Sequence, residues 1–251
     1  MEPVHTRPGL YWTHNDSGWD PVLFAVTEAG EEVAQVEVTG ARNRDWEDMA
    51  RGPCGDGEEC LYIADTGDNN LVRRDPAVYR VREPVPGEDR EAAAERFPVV
   101  FPDGPRDVES LYLLPGERMF FVTKGRAGPV ELYRYPGPLR EDEPVMLERI
   151  QTLTTWAPFL PAMVTGAGST PDGRLVAVRT YQSLTFYRPD EEGRLEELPG
   201  GRVSLTPLQE TQGEAVAFLP GNRVVLTSEA GPGGQVGQMA FLRCSLDGER
   251  W

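Results

Sequence analysis

The sequence of 251 residues is short of several residue types on which common functional sites depend. It has three cysteines and two histidines, and their spacing fits no common zinc-binding pattern. Lys124 is its single lysine, and the excess of acidic over basic residues gives a formal net charge of -16. Because so acidic a surface repels nucleic acids and anionic membranes, we expect neither as a partner.

Long apolar runs and helical periodicity are also scarce. Residues 150–171 lack charge, but their threonines, prolines and glycines exclude a membrane-spanning helix, so we predict a strand, a loop and another strand. Residues 1–10 hold no apolar run of the kind found in signal peptides. A helical turn is expected only from Glu88 to Arg96. With 27 glycines and 23 prolines, the chain is predicted to be a single all-β domain covering residues 1–251.

Two of the three cysteines flank a tight turn, CGDGEEC. Cys54 and Cys60 are close enough to form a disulfide across this turn, which would indicate an oxidising compartment. The alternative is that both are free thiols in the cytosol. Cys244 is then the odd cysteine, and we expect it to be a buried thiol.

A repeated pattern organises the chain. DVESLYLLPGERMFFVTK, residues 107–124, aligns without a gap with QGEAVAFLPGNRVVLTSE, residues 212–229. An interval of fifteen residues recurs in three places: between Glu109 and Lys124, between Thr165 and Thr180, and between Glu214 and Glu229. The motif around Glu47 joins this series if the cysteine turn is a four-residue insertion.

The repeat predicts a β-propeller. Each unit of about fifty residues reads as up to four short strands separated by glycine, proline and aspartate turns. Four-stranded antiparallel sheets at this interval bury both faces only when they pack around an axis, which favours a propeller over a β-sandwich or a solenoid. We predict five four-stranded blades, with six as the alternative. The tryptophans are expected to pack between blades: Trp12, Trp19, Trp46 and Trp156.

The first and last blades are expected to be incomplete. The first unit begins at its second strand, GLYWTHND, and the last stops after its third strand, near Trp251. We therefore expect an inner strand and an export signal upstream of Met1. The alternative is that residues 1–8 supply the inner strand themselves.

The propeller fold predicts where the polar side chains meet. The first strand of each blade runs along the central axis, so Glu47, Glu109 and Glu214 should surround one mouth of the channel. Thr165 takes this place in the fourth blade. The ends of the second strands should add further channel or ligand-binding groups: His14, Asn15, Asp16, Asp65, Asp68, Asn69, Lys124, Arg179 and Glu229.

A ring of carboxylates with few imidazoles suits a hard cation such as calcium, which takes six to eight oxygen ligands at roughly 2.3–2.6 Å. The alternative is that the acids bond to strand amides and pair with Lys124 and Arg179, which would close the channel electrostatically. Candidate catalytic groups are His14, as a general base beside Asp16, and Lys124. No serine lies in a nucleophile elbow.

The motifs LYWTHNDSG, NRDWEDMA, LYIADTGDNN, DVESLYL, VTGAGSTPDGRLVAVRTY and QGEAVAF, in this order, resemble a group of uncharacterised bacterial exported β-propeller proteins. The resemblance covers nearly the whole chain. IADTGDN and STPDG depart mildly from the GDIGDN and SPDG forms of that group. The resemblance implies a secreted, periplasmic or envelope-attached protein.

The repeat is also distantly similar to phytase-type, gluconolactonase-type and TolB-like propellers. The phytase and gluconolactonase types hold calcium in the channel. That resemblance implies a metal-facing set in this chain: Glu47, Asp48, Glu109 and Glu214.

Two functions follow from the sequence as expectations. The first is a monomeric binding module whose acidic channel holds calcium and whose mouth takes a small molecule or a protein ligand. The alternative is a calcium-dependent hydrolase of esters, lactones or phosphoesters, which must leave a metal coordination position open to its substrate.

Overall fold

The computed structural model is a five-bladed β-propeller, and the residues that it describes form 21 strands in five sheets around an axis. It describes residues 1–55, 57–154, 162–231, 236–246 and 251. The predicted fold class and blade number are confirmed. A search of these residues finds no helix with the length and apolar character needed to cross a membrane.

Each blade begins with its inner strand and runs outward. Blade 1 contains β1 (Glu2–Pro3), β2 (Leu10–His14), β3 (Val22–Thr27) and β4 (Glu32–Thr39). Blade 2 contains β5 (Trp46–Pro53), β6 (Glu59–Asp65), β7 (Ala77–Arg82) and β9 (Glu95–Val100). Blade 3 contains β10 (Val108–Leu114), β11 (Arg118–Thr123), β12 (Val130–Arg134) and β14 (Glu148–Thr154). Blade 4 contains β15 (Val164–Ser169), β16 (Val176–Thr180), β17 (Ser183–Pro189) and β18 (Leu195–Ser204), and blade 5 contains β19 (Gly213–Leu219), β20 (Arg223–Ser228) and β21 (Met239–Arg243).

Two short strands join neighbouring blades. β8 (Glu91–Ala93), from the connection before β9, pairs in parallel with β4 of blade 1. β13 (Val145–Met146), from blade 3, pairs in parallel with β9 of blade 2. The helical turn expected from Glu88 to Arg96 is wrong, because pairing with two different sheets supplies the backbone hydrogen bonds that a turn would make internally.

Apolar side chains on alternating strand positions fill the spaces between blades. Trp12 and Trp46 are buried in one cluster between blades 1 and 2, where Trp46 contacts Tyr79 at 6.4 Å between ring centroids. Trp19 is 65% exposed, so the expectation that it packs between blades is wrong. It follows Gly18, a left-handed residue with φ of 77°, on the loop that leaves β2. Trp156 lies outside the described residues.

The first and last blades are the smaller ones, as expected. In blade 1 the inner position is held by β1, which pairs with Trp12 and Tyr11 of β2. Residues 1–8 therefore supply a short inner strand, and the expectation that this strand lies upstream of Met1 is wrong. Met1 and Val4 on either side of it are buried. Blade 5 has three strands among the described residues. An export signal upstream of Met1 stays a prediction.

The disulfide between Cys54 and Cys60 is confirmed, with 5.6 Å between the Cα atoms. It closes the turn between β5 and β6, and both cysteines are buried in the cluster that joins blades 2 and 3. Cys244 is a free, half-buried thiol against the core of blades 4 and 5.

We expect the double variant Cys54→Ser/Cys60→Ser to lower the free energy of unfolding by about 2 kcal/mol, because the unfolded chain regains the entropy that a short crosslinked loop removes. Urea denaturation followed by circular dichroism measures the change. Reduction of the wild-type protein should give a similar loss, whereas Cys244→Ser should respond to reductant as the wild type does. An unchanged urea midpoint in the double variant would contradict this prediction.

Candidate functional site

A β-bulge recurs near the start of the inner strand in four blades. The pairing register shifts by one residue at Glu47 of β5, Glu109 of β10 and Thr165 of β15, and across Glu214 and Ala215 of β19. A bulged residue has no partner on the neighbouring strand, so its side chain leaves the regular alternation of the sheet. The repeat therefore brings one side chain from each of four blades towards the axis.

The bulges surround a cavity of about 1290 Å³ at one end of the axis, here called the mouth cavity. Nine of the residues predicted from the sequence line it: His14, Asn15, Asp16, Glu47, Asn69, Glu109, Lys124, Glu214 and Glu229. Its wall also includes Trp19, Trp46 and Tyr181. The cavity continues between blades 1 and 5, where Val26 and Met239 line it. Whether these residues bind a ligand stays a prediction.

Two predicted channel residues, Asp65 and Asp68, are buried beside the mouth cavity and are not among its described lining residues. The Asp65 carboxylate pairs with Arg73, with 2.6 Å between Oδ2 and Nη2, and both side chains are buried. Asp68 accepts the backbone N–H groups of Val72 and Arg73 at 3.0 Å and 2.7 Å. These two acids therefore order the loop that follows β6.

Arg179 is also fully buried rather than on the described cavity wall. Its Nη2 lies 2.5 Å from Oε2 of Glu210, and its Nη1 donates to the carbonyl oxygens of Ala215 and Thr227 at 2.8 Å and 3.0 Å. The guanidinium therefore ties blade 4 to the inner and second strands of blade 5. Glu210, its acidic partner, was not predicted from the sequence.

Asp48 bonds the inner strands of three blades together. It is 2% exposed, its Oδ1 accepts the N–H of Met49 at 2.8 Å, and its Oδ2 accepts those of Leu111 and Ala167 at 3.0 Å and 3.2 Å. Burial raises the pKa of Asp48 to about 6, although these three donors favour the ionised form. Both oxygens are engaged by backbone donors from blades 2, 3 and 4, which gives Asp48 a structural role.

Two groups of carboxylates come close enough to share a cation. In each group, one oxygen per residue lies within 4.8 Å of the others. The inner acid group consists of Glu47, Asp107 and Glu109, and the outer acid group consists of Asp16, Asp45 and Glu47. Glu47 belongs to both and so joins them. Neither group, as found among the described residues, includes Asp48 or Glu214.

Asp107 supplies an unsatisfied oxygen in the inner acid group. Asp107 is 6% exposed, and its Oδ1 accepts the backbone N–H of Asp68 at 2.9 Å. Its Oδ2 is buried and has no hydrogen-bond partner within the described part of the chain. A buried carboxylate oxygen without a partner is unfavourable, so this position favours a cation nearby.

Gly67 gives the carboxylates room to approach the backbone. It is the blade 2 equivalent of Lys124 and Glu229. In each case the backbone N–H donates to the carbonyl oxygen of the residue two places before a bulged acid. These hydrogen bonds are Gly67 to Asp45 at 3.2 Å, Lys124 to Asp107 at 3.0 Å and Glu229 to Gln212 at 2.8 Å. A Cβ on Gly67 would lie 1.9 Å from Oε1 of Glu47 and 2.5 Å from Oδ2 of Asp45. A side chain at this position would therefore displace the carboxylates of Glu47 and Asp45.

Lys124 places an ammonium at the inner acid group. Its Nζ lies 2.6 Å from Oε1 of Glu109, and the two side chains are 12% and 2% exposed. Burial opposes the charged form of Lys124, but Glu109 and Asp107 outweigh it and hold the pKa of Lys124 above its usual value. The pairing expected in the electrostatic alternative is thus present. One ammonium does not balance the surrounding carboxylates.

The remaining carboxylates repel one another. Burial raises the pKa of Glu109 to about 7 and that of Glu214 to about 8, and it raises the pKa of Glu47 well above its usual value. Glu109 raises the pKa of Glu47 and Glu214 further, whereas Lys124 lowers both. Burial and Asp16 raise the pKa of Asp45 to about 6. The folded protein therefore retains protons near neutral pH that these groups would otherwise release.

His14 lines the mouth cavity as a neutral imidazole. Its Nδ1 lies 3.0 Å from the carbonyl oxygen of Asn15 and so donates to it, and its ring meets Trp46 edge-on at 5.6 Å between centroids. Burial lowers the pKa of His14 to about 4. Asp16, its expected partner, instead accepts the N–H of Ser17 at 2.6 Å and belongs to the outer acid group.

Sequence reasoning did not identify Asp107 or Tyr181 as site residues. A signal for Asp107 is present, because it precedes Glu109 by two residues just as Asp45 precedes Glu47. Each D-x-E motif therefore delivers two carboxylates, one on the bulge and one on the loop before it. Tyr181 follows β16 and carries no comparable pattern.

The fold is shared with solved propeller structures. The PQQ-bound aldose sugar dehydrogenase from Streptomyces coelicolor matches with 13% identity over 96% of this chain and 92% of that chain, at a TM-score of 0.54. The major allergen Mala s 1 from Malassezia sympodialis matches with 8% identity over 96% of this chain and 92% of that chain, at a TM-score of 0.53. A putative 6-phosphogluconolactonase from Bacteroides uniformis matches with 10% identity over 90% of this chain and 79% of that chain, at a TM-score of 0.45.

No protein-family model matches the sequence, and neither does any curated protein. At the identities of the solved structures, the likeness establishes the propeller fold alone. The resemblance of the motifs to exported bacterial propellers stays a prediction.

We expect Asp48→Ala to lower the free energy of unfolding by about 3 kcal/mol or more, because it leaves buried N–H groups of three blades without an acceptor. Urea denaturation measures the loss. Asp20→Ala, at an exposed position, is the control and should change stability by about 0.5 kcal/mol or less. Equal effects of the two substitutions would show that Asp48 does not bond the blades together.

We expect stability to fall as the pH rises from about 6.5 to about 8. The pKa of Glu214 is about 8 in the folded protein against an ordinary value of 4.5. In this window the carboxyl group has already lost its proton in the unfolded chain and still retains it in the folded protein. His14, whose pKa is lowered from 6.5, acts in the opposite direction only below this window. Urea denaturation across the window should give a shallower dependence for Glu214→Gln than for the wild type. Glu196→Gln, an exposed control, should keep the wild-type slope.

Proposed function

We propose that the protein is an exported binding module whose mouth cavity holds a calcium ion at the inner acid group and takes a ligand above it. The observation that carries this proposal is the buried Oδ2 of Asp107, which has no hydrogen-bond partner in the described structure. It belongs to a residue that shares a cation-sized space with Glu47 and Glu109.

The donor set fits a hard cation. Two oxygens bound to the same calcium at roughly 2.3–2.6 Å are separated by at most roughly 5 Å. The oxygens of the inner acid group, Glu47, Asp107 and Glu109, lie within 4.8 Å of one another. All are carboxylate oxygens, which calcium prefers to nitrogen or sulfur ligands. Gly67 supports the fit, since a side chain there would fill the space beside Glu47 and Asp45.

Lys124 limits the charge of the site without neutralising it. It bonds to Oε1 of Glu109, and it forms no ion pair with Glu47 or Asp107, the other members of the inner acid group, in the described structure. Asp16 and Asp45 of the outer acid group add negative charge through their contact with Glu47. A bound calcium would favour the ionised form of the acids whose pKa burial raises.

Two of the sequence-predicted metal ligands are left out of this proposal. Asp48 already accepts three backbone hydrogen bonds. Glu214 lies on blade 5, outside both acid groups found among the described residues. The disulfide between Cys54 and Cys60 is consistent with export to an oxidising compartment, which also provides calcium at high concentration.

A calcium-dependent hydrolase is the second candidate function, and His14 is the observation in its favour. Its Nδ1 donates to Asn15, so Nε2 is the atom that would accept a proton. The pKa of about 4 keeps the imidazole neutral, although it also makes the imidazole a weaker base than an ordinary histidine. His14 lies on the same cavity wall as Glu47, a proposed calcium ligand. In this function the calcium would polarise the substrate while His14 acts as the base.

We expect calcium to raise the melting temperature. At a concentration one hundred times the dissociation constant, a ligand adds about 2.7 kcal/mol of stability, which for a chain of this length is roughly 5–10 °C. Differential scanning calorimetry with and without calcium measures the shift. Asp107→Asn, which keeps an oxygen to accept the N–H of Asp68, and Glu47→Gln should both reduce it strongly. Glu196→Gln, exposed on β18, is the control.

Absence of a calcium shift in the wild type would overturn the proposed site. A panel of ester, lactone and phosphoester substrates separates the two functions. Calcium-dependent turnover that is lost in His14→Gln would favour the hydrolase, and a calcium shift without turnover would favour the binding module.

A further inference from the structure

Among the described residues, the most exposed large apolar side chains lie on equivalent loops of adjacent blades. Trp19, Val72 and Val236 are 65%, 69% and 83% exposed. They occupy the loops β2–β3, β6–β7 and β20–β21, each of which connects the second and third strands of its blade. Blades 5, 1 and 2, which carry these loops, pack against one another in sequence around the ring.

These three side chains, here called the apolar rim, lie on loops at the end of the ring where the mouth cavity opens. β6 ends at Asp65, which pairs with Trp46 beside the bulge of blade 2, and β20 ends at Ser228, which pairs with Gly213 beside the bulge of blade 5. Trp19 itself lines the cavity. The other exposed large apolar residues of the described chain lie on outer strands and not on these loops: Val33 on β4, Met146 on β13 and Val203 on β18.

The wall below the apolar rim is acidic. The described lining residues include six carboxylates, Asp16, Glu28, Glu47, Glu109, Glu214 and Glu229, against two basic side chains, Lys124 and Arg126. Lys124 pairs with Glu109, and Arg126 donates to Asn69 at 2.5 Å. No basic side chain of the described chain pairs with Glu214 or Glu229, and Glu229 accepts one hydrogen bond, from Gln212 at 2.9 Å.

The mouth cavity is far larger than a single ion requires. Its volume of about 1290 Å³ extends from the axis to the space between blades 1 and 5. Val26 and Met239 line this extension and provide an apolar floor. The inner acid group lies on blades 2 and 3, so the blade 5 side of the cavity is available to a second occupant.

We propose that the mouth cavity and the apolar rim dock a basic, partly apolar peptide segment of a partner protein. Lysine or arginine side chains of the segment reach Glu214 and Glu229, and its apolar side chains cover Trp19, Val72 and Val236. Charge complementarity identifies the class of partner, because an acidic wall attracts a basic segment and disfavours an acidic one. This inference rests on the proposed function as a binding module and names its partner.

The apolar rim distinguishes a peptide from a small polyamine. A polyamine would use the carboxylates alone and leave three large apolar side chains in water. Exposed tryptophan and valine side chains on loops beside a concave site are typical of protein contact surfaces, where apolar burial strengthens binding. A peptide segment that carries both basic and apolar residues uses every feature of the surface.

The test uses fluorescence anisotropy with a labelled synthetic peptide that contains lysine and leucine separated by glycine, and a matched peptide with glutamine for lysine. We expect the lysine peptide to bind at least about tenfold more tightly. Two variants of the full chain should each weaken its binding by about tenfold: Glu214→Gln/Glu229→Gln and Trp19→Ser/Val72→Ser/Val236→Ser. Two controls change the same residue types elsewhere and should bind as the wild type does: Glu196→Gln/Glu197→Gln on β18, and Val33→Ser/Met146→Ser/Val203→Ser.

Several results would overturn the inference. Equal losses in the cavity variant and the Glu196→Gln/Glu197→Gln control would mean that the whole acidic surface attracts the peptide. Spermine that binds as tightly as the peptide, without sensitivity to the rim substitutions, would identify a small polyamine as the occupant. A dimer in sedimentation analysis that the rim substitutions dissociate would identify a second copy of the chain.

The calcium shift of the same variants separates this inference from the proposed calcium site. Glu214→Gln/Glu229→Gln leaves the inner acid group intact and should keep the shift. Failure of peptide binding with the calcium shift preserved overturns the docking surface alone. Peptide binding without any calcium shift overturns the calcium site alone and supports the docking surface.

Discussion

The β-bulge in the inner strands is the constraint on which the site depends. Without it, Glu47 and Glu109 would alternate with their neighbours and point into the spaces between blades, where the adjacent residues are apolar and buried. The bulge adds one extra residue to the inner strand of a blade and turns a polar side chain towards the axis. Because the same irregularity recurs in four blades, a symmetric ring becomes a polar centre without a break in its apolar core.

The gathered charge is only partly compensated by the protein itself. Asp48 bonds to three backbone N–H groups, Asp65 and Arg179 have buried partners of opposite charge, and Lys124 serves Glu109. The acids that face the mouth cavity have fewer hydrogen-bond donors and cationic partners, and burial raises their pKa. A propeller of this kind therefore divides its polar residues into a satisfied set that joins the blades and an unsatisfied set that is available to ligands.

The repeat in the sequence was sufficient for the fold and for much of the cavity wall. The constant interval between Glu109 and Lys124, and between Glu214 and Glu229, reports a hairpin of fixed register, so residues on the axis could be named. The sequence could not show which acids are buried and hydrogen-bonded within the protein. The donors to Asp48, for example, are backbone N–H groups of blades 3 and 4 that lie far along the chain. The prediction of a helical turn from Glu88 to Arg96 was wrong for the same reason, since this segment pairs with strands that are distant in sequence.

The parallel strands β8 and β13 have a mechanical consequence. Each is donated by one blade to the outer edge of the preceding blade, so blades 1, 2 and 3 are clasped by backbone hydrogen bonds in addition to side-chain packing. In the described chain no such clasp joins blade 5 to blade 1, and the mouth cavity extends into that joint. The joints between blades 1, 2 and 3 therefore resist separation through backbone hydrogen bonds as well as packing, whereas in the described chain the joint between blades 5 and 1 depends on its apolar cluster beside the mouth cavity.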